Sequence, residues 1–523
     1  MNRRAWLAAL AGTALLALAG CGKKEGAASA PAAPAREAFT ILAGSELKDL
    51  EPALVEAARA AGVEVKFSYA GTLDAVERLN VGERFDALLP PNGAYPTLAL
   101  ASKPLAREKL FYSRIALGVK AAKLTALGWD AQPPGWAEIA QAASTGKLRY
   151  AMTSASGSNT GMSALFAVAS ASAGKSEDLS VADVKPELIK AFLSGQKLTA
   201  GSSGWLAEAF IKAPAELDAM VNYEAVILRA NERLQPADRL TLVYPRDGMI
   251  SADYPLMLLR EDRRADYIKL VAALKAPAFQ GPALQAAFLR PANPEVKPAA
   301  ALPQGAVAEL AFPNRLDVID AVLGAYLAQW RKPATSIFVL DISGSMRGDG
   351  RIDAMREALK VLAGAGDNSA TARYAAFQQR ERVVLIAFDD KVEPPQWVRF
   401  DGDLQAARRE VLERADALTP RGGTAIFSAL DAAEQLAAEE RKANPDRFIS
   451  IVLLTDGENN RGLRFEDFRA KYEWQTPAPV FPIVFGEANQ SEMQALAAVT
   501  GGREFDGRKA RLAQVFREIR GYQ

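Results

Sequence analysis

Histidine is missing altogether from the 523 residues, and cysteine occurs once, at Cys21. Without imidazole the chain has lost the commonest general base and the commonest zinc ligand, which excludes hydrolytic triads and zinc hydrolases of the usual kinds. A single cysteine excludes an internal disulfide and any site built from several thiolates. Excess charge of either sign is missing too. With 63 basic against 62 acidic residues the net charge is +1, which leaves no electrostatic footprint for nucleic acid. A Gly-x-Ser-x-Gly elbow at a strand end is absent, and no two carboxylates pair as acid and base. What remains is ordinary for soluble globular protein: 49% apolar and 24% charged residues,. The length calls for two to four domains.

The chain opens with Arg3 and Arg4, then an apolar run from Ala5 to Ala19. That run is shorter than the about 20 residues a membrane span needs, so it reads as a signal peptide. Leu18-Ala19-Gly20-Cys21 resembles the bacterial lipoprotein cleavage box. The resemblance makes residues 1–21 a leader and Cys21 the lipidated first residue of the mature chain; the plainer alternative is an ordinary secretory signal. Gly22, rather than an aspartate, follows the cysteine and favours the outer over the inner membrane. Residues 22–37, with their Gly, Ala, Ser and Pro, cannot bury a core and read as a flexible tether.

From residue 38 to 300 strands and helices alternate. Phe39–Ala43, Val63–Phe67 and Phe85–Leu89 read as strands, with helices over Leu47–Ala61 and from Thr72, which predicts a parallel βαβαβ start. Each helix opens after a small polar loop, Gly44-Ser45 or Tyr69-Ala70-Gly71-Thr72, offering free N–H groups to an anion. With Ser156 to Gly161 and Asn222-Tyr223-Glu224, these loops make the segment similar to a two-lobed periplasmic solute-binding protein, nearest in its opening to the molybdate-binding branch. The resemblance implies a cleft for a small anion lined by Ser45, Thr72, Ser158, Asn159, Thr160 and Tyr223. It also implies a second lobe over about 120–240, between an outward crossing at Leu110–Val119 and a return at Leu240–Leu259. Thr72 stands where that branch usually has serine, so the oxyanion is left open. The plainer reading of each loop is a helix N-cap.

Pro291 to Pro303 is rich in Pro and Ala and reads as a linker. Within 301–332, Leu316, Ile319, Val322, Leu323, Tyr326, Leu327 and Trp330 recur at helical spacing. Their stripe suits docking of one domain on another. The apolar strand that follows breaks abruptly into Asp341-Ile342-Ser343-Gly344-Ser345, a turn crowded with the hard oxygen donors a small divalent cation requires. Downstream come Gly422-Gly423-Thr424 and the strand Ile449–Thr455 ending at Asp456-Gly457. Together these resemble the metal-ion-dependent adhesion site of a von Willebrand factor A domain, spanning 333–523. The resemblance implies a doubly wound α/β fold and a site for Mg2+, or another divalent cation such as Mn2+. Its ligands would be Asp341, Ser343, Ser345, Thr424 and Asp456, at the carboxyl ends of strands where such sheets bind ligands. Arg347-Gly348-Asp349 in the same loop is too short a match to weigh.

These readings predict an α/β architecture in two parts, solute-binding-like and then von Willebrand A-like. The expected function is that of a non-enzymatic, membrane-anchored envelope protein. It would bind a protein partner that presents a carboxylate to the metal, and a small anionic solute, but no nucleic acid. The alternatives are a solute receptor of an ABC transporter and, behind it, a metal-dependent hydrolase.

Overall fold

The structure, a computed structural model, describes residues 37–365, 370–508 and 512–522; the expected leader, with Cys21, and residues 22–36 of the tether lie outside the described residues. No described helix is long and apolar enough to cross a membrane.

Three sheets carry the chain from residue 38 onward. In the first, Phe39–Ala43 lies between Val65–Tyr69 and Ala87–Leu89, all parallel. The strand Pro255–Leu258 returns from far along the chain to pair antiparallel with both Ala87–Leu89 and Ala106–Lys109. The expected helix over 47–61 starts late. A tight 3-10 turn, Ser45–Leu50, precedes the α-helix Glu51–Ala60, because Pro52 fits only the first turn of a helix.

The second sheet is built on Phe111–Lys120, which carries the chain into the second lobe, and on Leu240–Val243, which brings it back alongside. Glu224 pins this crossing. It is fully buried, ion-pairs with Arg290 at 2.6 Å, accepts the Arg114 N–H at 3.0 Å and takes the Tyr244 hydroxyl. The Tyr223-Glu224 pair is therefore divided: the carboxylate anchors the crossing strands and does not face a solute.

Residues 301–315 are strapped onto this region. Leu302 is buried, Arg290 donates to the Pro303 carbonyl at 2.9 Å, and Leu310 N–H donates to the Met249 carbonyl at 2.8 Å. The amphipathic helix spans Leu316–Ala325 and ends in a single π-helical turn, Tyr326–Trp330. Val318, Ile319, Val322 and Leu323 are buried.

The third sheet has six strands in the order Gln396–Arg399, Arg382–Phe388, Ala334–Asp341, Phe448–Thr455, Val480–Val484, Phe505–Asp506, parallel except for the first. Every residue of Ala334–Asp341 is buried, as a central strand covered on both faces requires. Its alternate side chains enter two cores. Ile337 and Val339 pack with Ile426, Phe427 and Leu430 of the helix Ile426–Ala443. Phe338 and Leu340 join the core holding Met355 and Phe516, and that core is continuous with the one in residues 38–300. The architecture is thus α/β throughout. Helices at Phe465–Tyr472 and Gln490–Thr500 had no counterpart in the sequence reading.

Candidate metal centre and solute cavity

Parallel pairing brings the two key aspartates together. Leu340 is in register with Leu454, so Asp341 ends one strand beside Thr455, and Asp456 follows directly. Both oxygens of Asp341 are engaged: Oδ1 accepts the Ser343 N–H at 2.8 Å and Oδ2 the Thr455 hydroxyl at 2.7 Å. Burial pushes the Asp341 carboxyl up to about 6, against the pull of the Ser343 and Thr455 hydrogen bonds. The Ser343 and Ser345 hydroxyls stand 3.0 Å apart, and Ser345 donates to Asp456 Oδ1 at 2.8 Å. A methyl group on Gly457 would lie 3.7 Å from Ser345 Oγ and 3.9 Å from Thr424 Oγ1, so Thr424 reaches the same spot. Its loop is tied in by the Gly344 N–H to the Gly422 carbonyl, 3.1 Å, and by Thr424 N–H to Asn460 Oδ1, 2.9 Å. Asp341, Ser343, Thr424 and Asp456 are buried while Ser345 is exposed, which leaves one open side.

The donor set can be tested against a magnesium ion. Ligands at its octahedral distance place neighbouring oxygens about 2.8–3.0 Å apart. The two hydrogen bonds through Ser345, at 3.0 and 2.8 Å, are of a length that would also suit neighbouring oxygens on one ion,. Among the described residues no three acidic or cysteine side chains cluster as metal ligands, so any cation here leans on hydroxyls. The residues present fit the ion.

Sequence reasoning missed the charges around this centre. Arg351 donates to Asp456 Oδ2 at 2.6 Å and reaches Asp349 at 3.1 Å. It is the first residue of the helix Arg351–Leu362, where a cation opposes the helix dipole, and that misplacement was the available signal for an acidic partner. Asp389 and Asp390, at the end of Arg382–Phe388, hold the Thr424 loop. Arg421 reaches Asp389 at 2.7 Å, and the Gly423 N–H donates to Asp390 at 3.0 Å.

A second feature is a cavity of about 530 Å³ between the two lobes. Ser45, Glu46 and Gly71 line it from the first lobe, and Ser156, Gly157 and Trp205 from the second. The lobes touch there, since a Cβ on Gly71 would lie 2.7 Å from the Gly157 carbonyl oxygen. Of the six expected solute contacts, only Ser45 is on the cavity wall. Thr72, Ser158, Asn159, Thr160 and Tyr223 are buried next to it. Asn159 donates to the Tyr223 hydroxyl at 3.0 Å, and Thr160 shares a hydrogen bond with Ser203. Ser158 is the N-cap residue of the helix Asn159–Ala173, as the plainer reading has it, but its side chain makes no capping bond. Glu46, unremarked in the sequence, has a buried Oε1 without a hydrogen-bond partner. Burial pushes its carboxyl up to about 7, against the pull of its own backbone, Arg229 and Tyr254.

Residues 39–288 match the family model for bacterial extracellular solute-binding proteins, and residues 336–458 that for the von Willebrand factor type A domain. Similar solved structures include a von Willebrand factor type A protein from Catenulispora acidiphila, with 21% identity over 36% of this chain and 42% of that one, and a TM-score of 0.30. The chain thus spans less than half of that protein's length. Others are a periplasmic binding protein from Actinobacillus pleuropneumoniae with fructose-6-phosphate bound (13% identity, 55% and 93% covered, TM-score 0.40) and a ferric binding protein from Campylobacter jejuni (12%, 54% and 94%, 0.42). No curated protein matches the chain. The chain joins a bacterial solute-binding-protein domain to a von Willebrand factor type A domain that follows it.

Proposed function

We propose that the chain is an envelope lipoprotein that grips a protein partner through a divalent cation. The observation that carries this reading is the convergence of Asp341, Ser343, Ser345, Thr424 and Asp456 on one spot at the ends of adjacent strands. A magnesium or manganese ion bound there would supply a positive charge with a free coordination position. Ser343, Ser345 and Thr424 would offer neutral hydroxyls. Asp341, its oxygens already engaged by Ser343 and Thr455, would act through water. Charge left incompletely neutralised on the open side attracts a partner's carboxylate, more strongly where the interface excludes water. The role is binding, not catalysis. Pull-down from envelope extract with magnesium, repeated with chelator and with Asp341→Ala, tests it. Capture is expected only by the unaltered chain with metal, and capture that survives both changes refutes the reading.

The cavity between the lobes supports a second activity for residues 38–300: binding a small solute, as a sensor or as the receptor of an ABC transporter. Thermal-shift screening against oxyanions and small carboxylates tests it, a raised melting temperature being the expected result. The absence of a shift with every such ligand would leave the module a scaffold.

A further inference from the structure

The cavity between the lobes has a third wall, and the von Willebrand A domain supplies it. Tyr374, Arg503, Glu518 and Gly521 line the cavity opposite the two lobes. Contact with the second lobe runs through backbone. A Cβ on Gly521 would fall 2.7 Å from Gly201 Cα, and one on Gly157 would fall 3.5 Å from Gly521 Cα. A Cβ on Gly201 would fall 2.7 Å from the Tyr522 ring. At Gly201 and Gly521 there is no room for a side chain larger than hydrogen unless the neighbouring surface shifts,.

Tyr522 is buried, meets Trp205 edge-on at 6.2 Å between ring centres, and accepts a hydrogen bond from Arg503 at 2.6 Å. Arg503 in turn stands 6.0 Å over the Trp205 ring. On the other side the short helix Ala370–Ala375 packs against the first-lobe helix Thr72–Asn80. There the Tyr374 hydroxyl donates to Asp320 at 2.6 Å, and Asp320 raises the pKa of the buried first-lobe Tyr95, whose shift comes mainly from burial. The A domain therefore holds both lobes at once, across the mouth of the space between them.

We propose that the A domain is the lid of the solute cavity. The lobes cannot part without breaking its contacts with one of them, and the mouth cannot widen until Gly521-Tyr522 leaves the second-lobe loops or the helix Ala370–Ala375 leaves the first-lobe helix Thr72–Asn80. The two domains then act as one device: what loosens the A domain opens the cavity, and a filled cavity, holding the lobes together, favours the docked A domain. The inference concerns access alone, so it stands or falls independently of which solute is bound.

The test reads access directly and needs no solute. Cys21→Ser frees the chain of cysteine. Ser45→Cys then places one thiol on the cavity wall, and Ser102→Cys one on the exposed surface. Modification by a charged methanethiosulfonate reagent is expected to be at least about tenfold slower at position 45 than at position 102. Gly201→Val, Tyr522→Ala and Tyr374→Ala, made separately in the Ser45→Cys background, are each expected to raise the rate about tenfold, with circular dichroism unchanged. Three lid variants are used so that one misfolded variant does not decide the result. Position 45 reacting as fast as position 102 overturns the proposal, and so does a slow rate that none of the folded lid variants raises.

Discussion

Glu381→Gln should cost this protein a large share of its stability. Glu381 lies between two arginines, and the side chains of Arg331, Glu381 and Arg520 are 7%, 2% and 5% exposed. Arg520 donates to both Glu381 oxygens, at 2.6 and 2.7 Å, and Arg331 to one of them. Burial, with help from Arg331, pulls the Arg520 pKa down while Glu381 holds it up. Glutamine keeps the shape and one acceptor but leaves two buried guanidiniums facing each other. Removing one partner of a buried ion pair costs about 3–5 kcal/mol, a large share of the roughly 5–15 kcal/mol that holds a domain folded. Replacing all three residues together, by Arg331→Met, Glu381→Leu and Arg520→Met, should instead be near neutral, because it removes the desolvation of all three charges at once. Urea unfolding followed by tryptophan fluorescence measures both, read as a shift in midpoint at constant slope. A Glu381→Gln midpoint equivalent to less than about 0.5 kcal/mol would refute the reasoning, as would a triple variant less stable than the single one.

Arg351→Gln should tighten divalent-metal binding by about tenfold, because it removes a positive charge beside Asp456; isothermal titration with manganese measures it, and weaker binding would mean that Arg351 chiefly positions that aspartate. Glu434 is buried with one oxygen unpartnered, and burial pushes its carboxyl from an ordinary 4.5 up to about 7. The folded state then binds the proton more tightly than the unfolded one, so this group's contribution is intact below about pH 4.5 and is lost as pH rises through about 7. Glu434→Gln should accordingly raise the melting temperature at pH 8 and leave it unchanged at pH 4; an equal effect at both would show that ionisation is not the cause. Labelled palmitate should enter the unaltered chain and not Cys21→Ser, and equal release of both into the soluble fraction would count against lipidation.

The third sheet was largely legible because buried parallel strands leave long apolar runs. The apolar strand expected to run into Asp341 is Ala334–Asp341, and that over 449–455 is Phe448–Thr455. The aspartates and hydroxyls were legible for a related reason, since they interrupt those runs at strand ends. Partners that come from elsewhere in the chain were not. Arg351 reads as a charged surface residue until the fold sets it against Asp456. The packing of Tyr522 on Gly201 links residues more than three hundred positions apart, with no local pattern to announce it. Three of the four loops that resemblance singled out for the solute line the cavity, though of the six expected side chains only Ser45 does. Gly71, Ser156 and Gly157 reach the cavity while Thr72, Ser158 and Asn159 turn inward. The linker read from proline composition over 291–303 is packed against the fold, where Arg290-Pro291 pairs with Phe111–Tyr112 and Leu302 is buried.

The strand Pro255–Leu258 fills a slot between Ala87–Leu89 and Ala106–Lys109, and that has a consequence for how the protein must be made. Residues 110–254, 145 in all, separate the slot from the strand that fills it. Closing a loop of that length costs about 4 kcal/mol by the logarithmic law, before any new contact compensates. Until then the nascent first lobe carries two bare sheet edges, and such edges recruit other chains. A protein delivered in chain order cannot finish its first lobe until its second has emerged. Crowding or slow delivery between residues 110 and 254 is therefore where its synthesis is most exposed to aggregation.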